Sequence, residues 1–98
     1  MKTRQEILHL IEANREKIKS FGVKEIGVFG SVARGEQTEK SDVDVLVELE
    51  NKTFDSYMGL LFFLEDLFEC KVDLVMKSAI KSVIKENILS ETIYAQNV

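Results

Sequence analysis

The chain has 98 residues, of which 45% are hydrophobic and 31% charged, and its formal net charge is -4. This size and composition predict one globular domain over residues 1–98. The acidic balance argues against direct nucleic-acid binding, and the short, charge-interrupted apolar runs argue against a membrane span. A single Cys70 excludes an internal disulfide, so we expect a cytoplasmic protein.

The first elements are predicted from a capping signal and a β-branched run. Thr3 and Glu6 have the spacing of a capping box, which predicts a helix over residues 3–19. A strand is then expected over residues 24–29, a turn opening a short helix over 30–35, and a polar loop over 36–41.

Residues 42–50 have the clearest strand pattern in the chain. Because side chains alternate between the two faces of a strand, one face is aliphatic and the other carries both acids. The first set is Val43, Val45, Val47 and Leu49, and the second is Asp42, Asp44, Leu46 and Glu48. We expect helices to cover the aliphatic face and the acidic face to stay open.

The second half predicts a long helix, a strand and a final helix. Thr53 or Asn51 caps a helix through Phe68 that is expected to be the main core element; the alternative is that one stripe of its apolar surface is left for a partner. Its apolar positions are Phe54, Tyr57, Met58, Leu61, Phe62, Leu64, Leu67 and Phe68. Residues 71–76 form a strand with Asp73 on its polar face. Ser78 is expected to cap the last helix, which runs to about Ser90 and turns Ile80, Val83, Ile84 and Ile88 inward. Residues 92–98 are a tail without a clear prediction.

The predicted order is therefore αβαβαβα. It favours the α/β (α+β) class, with a small mixed sheet, helices on one face, and Asp42, Asp44 and Asp73 on the other.

These acids form a constellation with a Gly-Ser pair. Gly30-Ser31 follows a predicted strand, and ten residues separate the pair from Asp42. Glycine lets backbone N–H groups approach a phosphate, and the Ser31 hydroxyl adds a donor. Carboxylate oxygens suit magnesium, and three carboxylates can hold two ions in phosphoryl or nucleotidyl transfer. Arg34, one helical turn after Ser31, can neutralise a phosphate oxygen.

Simpler interpretations of the same residues stay open. Asp42 and Asp44 can be solvated acids at a strand start, and Asp73 can face Lys71 or Lys77. Ser31 can be a plain N-cap. Arg34 can equally pair with Glu36 or Glu39.

The residues GSVARG at 30–35, SDVD at 41–44 and KVDLV at 71–75 resemble the signature of the minimal nucleotidyltransferases of the DNA polymerase beta superfamily. The similarity covers nearly the whole chain and implies the nucleotidyltransferase fold. It implies catalytic and metal-binding roles for Asp42, Asp44 and Asp73, and nucleotide binding by Gly30, Ser31 and Arg34.

Members of this family usually serve as MNT antitoxins beside a HEPN-domain ribonuclease toxin. The resemblance therefore implies magnesium-dependent transfer of AMP from ATP to a tyrosine hydroxyl of such a toxin. The alternative is a non-catalytic antitoxin that neutralises the toxin by binding alone. Transfer to a small molecule is a weaker alternative, because the relatives that do this carry an extra domain. A nucleic-acid polymerase is weaker still, given the size and the acidic balance.

Overall fold

The computed structural model describes residues 2–96 and residue 98. Within them, four strands form one sheet in the order β3-β2-β1-β4, where β2 is antiparallel to β1 and parallel to β3. The mixed sheet and the α/β class are thereby confirmed. The strands are β1 (Val23–Phe29), β2 (Val43–Leu49), β3 (Val72–Met76) and β4 (Ile93–Tyr94). The helices are α1 (Arg4–Ala13), α2 (Arg15–Lys19), α3 (Gly30–Arg34), α4 (Phe54–Phe68) and α5 (Ser82–Glu91).

The first predicted helix exists but is divided in two. Its capping box is present, because the Glu6 N–H donates to Thr3 Oγ1 at 3.2 Å and the Thr3 N–H donates to Glu6 Oε1 at 3.0 Å. Helix α1 ends at Ala13, and the side-chain amide of its C-cap residue Asn14 donates to the Leu10 carbonyl at 2.8 Å. An asparagine that bonds locally to the backbone competes with helix continuation, and α2 begins after it.

The aliphatic face of the sheet packs as predicted. Thr53 caps α4 by accepting from the Ser56 N–H, and the helix buries Leu60, Leu64 and Phe68 in the main core. The strands, the first three helices and Ala95 contribute the remaining apolar side chains, including Ile7, Ile11, Ile18, Val23, Ile26, Val28, Val32, Ala33, Val43, Val45, Val47, Leu49, Val72 and Leu74. This core fixes the register of the strands that carry the acids.

The opposite face is less open than expected. Leu46 lies on the same face of β2 as Asp44, two residues further along the strand, yet it is only 1% exposed. Phe29 of β1 is 8% exposed. Neither belongs to the main core cluster. The expectation of an entirely open acidic face was therefore wrong: its middle is covered, and the acids lie toward one end.

The last helix differs from the prediction in its start and its packing. A 3-10 turn occupies Lys77–Ala79, and α5 begins at Ser82 without a side-chain cap, so Ser78 does not cap it. Val83 is 84% exposed and Ile84 is 45% exposed, so neither points inward. Among the described residues, α5 buries none of its side chains, and no helix reaches the length and apolarity of a membrane span.

The tail without a clear prediction contains a short strand. In β4, Tyr94 pairs with Gly27 and Ile93 pairs with Val28 of β1; Asn97 lies outside the described residues. A Cβ at Gly27 would lie 2.7 Å from the Ile93 carbonyl oxygen, so glycine is required there for the backbone of β4 to approach.

Candidate active site

The sheet brings the predicted carboxylates to one end of adjacent strands. Asp44 pairs with Asp73 in the parallel ladder between β2 and β3, and Asp42 lies just before β2. Paired residues on neighbouring strands are about 4.8 Å apart and point to the same face. Asp42 and Asp73 are exposed, whereas Asp44 is half-buried. The inference that Asp73 shares the face of Asp44 agrees with this register.

The acids interact electrostatically. Burial raises the pKa of Asp44 to about 6, and the negative charges of Asp73, Asp42 and Glu91 add to the rise, while Arg34 opposes it. A carboxylate surrounded by like charges costs free energy when it ionises, and a cation placed among them would remove that cost.

The turn after β1 lies directly against Asp44. Phe29, the last residue of β1, pairs with Asp44, and Gly30 follows with a φ of +70°. A Cβ at Gly30 would overlap the Oδ2 atom of Asp44. Glycine is therefore required by both the backbone conformation and the closeness of the carboxylate.

Helix α3 presents Ser31 in its first turn. The N-cap of α3 is Phe29 and makes no side-chain cap, so Ser31 is the second residue of the helix and not its N-cap. The helix ends at Arg34, and Gly35 forms its C-cap with a φ of 72° in the left-handed region. Arg4 of α1 donates to the Ala33 carbonyl at 2.7 Å, which fixes this short helix to the body of the protein.

Arg34 has acidic partners on two sides. Its Nε lies 2.6 Å from Glu36 Oε1, which is one of the pairings that the sequence left open. Its NH1 lies 3.1 Å from Glu91 Oε2, and the other Glu91 oxygen accepts the Gly30 N–H at 2.9 Å. Sequence reasoning missed Glu91, because it lies 61 residues from Gly30 and no local pattern marks it.

The simpler interpretation of Asp73 is not supported. Lys77 Nζ lies 3.2 Å from Glu25 and 3.8 Å from Glu48. Within the described ranges, Asp73 forms no ion pair with Lys71 or Lys77. Tyr57 lies nearby: its hydroxyl donates to the Leu74 carbonyl, and burial, with the charge of Asp73, raises its pKa.

The donor set fits magnesium in its chemistry. Asp42, Asp44 and Asp73 offer carboxylate oxygens, the ligand type that this ion prefers. The mutual repulsion at Asp44 is the electrostatic condition that a cation would relieve. Over residues 2–96 and 98, no three acidic, histidine or cysteine side chains converge as a preformed ligand set. Because magnesium usually binds through one or two carboxylates together with waters and substrate phosphates, these residues can supply ligands without a preformed set of three.

Comparison with known proteins defines the class. Residues 8–95 match the nucleotidyltransferase domain family, so this chain belongs to that family and is a nucleotidyltransferase. It is similar to the protein adenylyltransferase MntA of Thermococcus cleftensis, with 45% identity over 96% of this chain and 97% of that protein. A solved protein described as a minimal nucleotidyltransferase shares 37% identity and a TM-score of 0.73, over 88% of this chain and 93% of the other. The resemblance drawn from the motifs is confirmed.

Two more distant structures share the fold. One is a toxin-antitoxin complex with AMP-PNP, at 21% identity and a TM-score of 0.70, covering 89% of this chain and 73% of that one. The other is a tri-AMPylated HEPN toxin of Shewanella oneidensis in complex with an MNT antitoxin. It shows 18% identity and a TM-score of 0.65, over 93% of this chain and 73% of that one.

Proposed function

We propose that this chain is an MNT-type antitoxin that transfers AMP from ATP to a tyrosine hydroxyl of a HEPN ribonuclease toxin and thereby neutralises it. The observation that carries the proposal is the pairing of Asp44 with Asp73 beside the Gly30 turn. It is supported by the similarity to a protein adenylyltransferase and by the AMPylated toxin in a neighbour of the same fold. We infer that the chain acts as one unit in the cytoplasm.

Each of the predicted site residues has a separate role in the proposed reaction. Asp42, Asp44 and Asp73 would hold Mg²⁺, as two ions during transfer, which would neutralise charge on the triphosphate and the leaving pyrophosphate. The Gly30 N–H, the Ser31 hydroxyl and Arg34 would bind phosphate oxygens. The tyrosine oxygen attacks the α-phosphorus and forms a P–O bond while the bond to the bridging oxygen breaks. Pyrophosphate leaves with the electron pair, and Asp73 accepts the phenol proton.

A second candidate is neutralisation by binding alone. The carboxylates do not form a preformed ligand set within the described residues. Phe54 and Phe62, predicted as core positions of α4, are instead 77% and 60% exposed, and together they would offer an apolar surface to a partner. Binding by this surface would not require the acids.

Labelled ATP distinguishes the two candidates. The purified chain is mixed with magnesium, α-labelled ATP and a HEPN toxin encoded beside it, and the Asp42→Asn, Asp44→Asn double variant is tested in parallel. We expect label on the toxin with the wild type and at least a thousandfold slower labelling with the double variant, about 4 kcal/mol in activation free energy. If the double variant still binds and inhibits the toxin while the wild type transfers no label, the binding candidate is correct.

Nucleotide binding can be measured without the toxin. Because a ligand that binds only the folded state adds stability by mass action, millimolar Mg²⁺ with ATP should raise the melting temperature. The double variant should show a much smaller shift. An unchanged melting temperature in the wild type would argue against a functional nucleotide site.

A further inference from the structure

Glu91 closes the site from a distant part of the chain. It is the last residue of α5, and its side chain is 31% exposed. One carboxylate oxygen accepts the Gly30 N–H at 2.9 Å, and the other lies 3.1 Å from Arg34 NH1. A single anion thus occupies both a backbone donor and a guanidinium donor of α3.

Those two donors are the ones that the proposed function assigns to a nucleotide phosphate. A carboxylate and a phosphate present similar anionic oxygens, and they cannot accept from the same N–H groups at the same time. We propose that Glu91 is an internal competitor of the nucleotide: it occupies the Gly30 and Arg34 contacts in the free protein and is displaced by phosphate, so that it sets nucleotide affinity. This inference rests on the proposed function.

Displacement of the Glu91 side chain should cost little free energy. The helix buries no side chain among the described residues, and Val83 near its start is exposed. Its C-terminal end continues into β4, where Ile93 packs against the core, so the displacement involves the Glu91 side chain and not the helix. Partly exposed ion pairs contribute little stability, so their loss is readily offset by a multiply charged ligand.

Arg34 retains a partner when Glu91 leaves. Glu36 binds its Nε at 2.6 Å from the other side, so the guanidinium stays oriented at the end of α3. Departure of Glu91 also removes one of the negative charges that act on Asp44, where a triphosphate must approach. Both consequences favour binding of an anionic ligand in place of the carboxylate.

Three variants test the competition. Glu91→Ala removes the carboxylate, Glu91→Gln keeps its shape without the charge, and Glu36→Gln changes the other partner of Arg34 without exposing the Gly30 N–H. Dissociation constants are measured by calorimetry for ATP with Mg²⁺ and for inorganic tripolyphosphate, and KM and kcat are measured for labelling.

We expect Glu91→Ala to bind both probes about three- to tenfold more tightly than the wild type, as loss of a partly exposed charged contact implies. Glu91→Gln should be intermediate. Glu36→Gln leaves the Gly30 N–H occupied by Glu91 and loosens Arg34, so it should bind neither probe more tightly than the wild type. The KM for ATP should fall in the same order while kcat does not rise. A merely structural role for Glu91 predicts the opposite sign, because loosening the turn would weaken binding.

The outcomes separate this inference from the proposed function. If the wild type binds ATP and both Glu91 variants bind it equally or more weakly, the competition is wrong and the proposed function stands. If neither the wild type nor any variant binds either probe, both are wrong. If Glu91→Ala shows no thermal unfolding transition and is therefore not folded, the nearly isosteric Glu91→Gln is used instead. Tighter ATP binding than in the wild type would support the competition, and equal or weaker binding would contradict it.

Discussion

The two faces of the sheet differ in how they are covered and in the charges that they carry. Helix α4 covers one face and buries Leu60, Leu64 and Phe68 in the main core. At one end of the opposite face, Asp44 carries a raised pKa among like charges. Helix α5 buries none of its described side chains, and its last residue, Glu91, accepts from the Gly30 N–H. One face carries the main core, whereas the other buries Leu46 and Phe29 at its middle and has a polar end where like charges reduce the stability of the fold.

The comparison predicts its largest effect in the core. Leu64 of α4 is fully buried, so Leu64→Ala should lower the free energy of unfolding by about 3 kcal/mol through lost contacts and a cavity. Val83 of α5 is 84% exposed, and Val83→Ala should change it by less than about 0.5 kcal/mol. Urea denaturation of both variants measures the difference. A large cost for Val83→Ala would mean that this side of α5 is packed in solution, which contradicts the contrast between the helices.

The two ends of α3 offer a second matched pair. Gly30 and Gly35 have nearly the same positive φ, +70° and +72°, so replacement by alanine strains both by about 1 kcal/mol. Only at Gly30 does the new Cβ overlap Asp44, whereas nothing lies within 4 Å at Gly35. Gly30→Ala should therefore cost about 2 kcal/mol more in unfolding free energy than Gly35→Ala.

Activity should separate the same two variants. Displacement of Asp44 by the Gly30→Ala methyl group should slow labelling at least tenfold, and Gly35→Ala should label at the wild-type rate. Equal effects of the two substitutions on stability and on labelling would show that Asp44 is not held against the turn as described.

The sequence predicts the core face well because its signals are local. Alternation along residues 43–49 and the cap at Thr53 depend on neighbouring residues and appear in the structure. Whether an apolar residue is covered depends on other elements, and for that reason Leu46 was expected on an open face and Val83 in the core. The contact between Glu91 and Gly30 spans 61 residues, beyond the reach of any periodicity.

In the candidate site, too, local motifs predict some residues, and contacts from distant parts of the chain are not predicted. The motifs predict Gly30, Ser31, Asp42, Asp44 and Asp73 as site residues, and the strand register pairs Asp44 with Asp73 and with the last residue of β1. Their spacing cannot tell whether Arg34 is free, because its partners come from the following loop and from α5. Nor can it show that β4 pairs beside Gly27 and thereby places the end of α5 near the turn.

The smallest expected effect is a stabilisation by Asp44→Asn that depends on pH, whereas the substitutions above destabilise the fold. The pKa of Asp44 is raised from 3.8 to about 6 in the folded protein, so the folded state binds a proton more tightly than the unfolded state. The Asp44 contribution to stability is therefore greatest below about pH 4, falls as pH rises, and is fully lost above about pH 6. The Asp44→Asn variant carries no ionising group at this position, so its free energy of unfolding does not contain this pH-dependent decrease. In buffer with a metal chelator, raising the pH from 4 to 7 should therefore increase the stability of the variant relative to the wild type by about 1 kcal/mol, a small value because Asp44 is partly exposed.

Urea denaturation across that pH range tests the sign directly. Because a bound cation would compensate the same charge, adding Mg²⁺ at pH 7 should stabilise the wild type more than Asp44→Asn and narrow the difference between them. If the variant is less stable than the wild type at pH 7 without metal, the ionised Asp44 contributes to stability. In that case, the active-site face does not reduce the stability of the fold, and the contrast between the two faces fails.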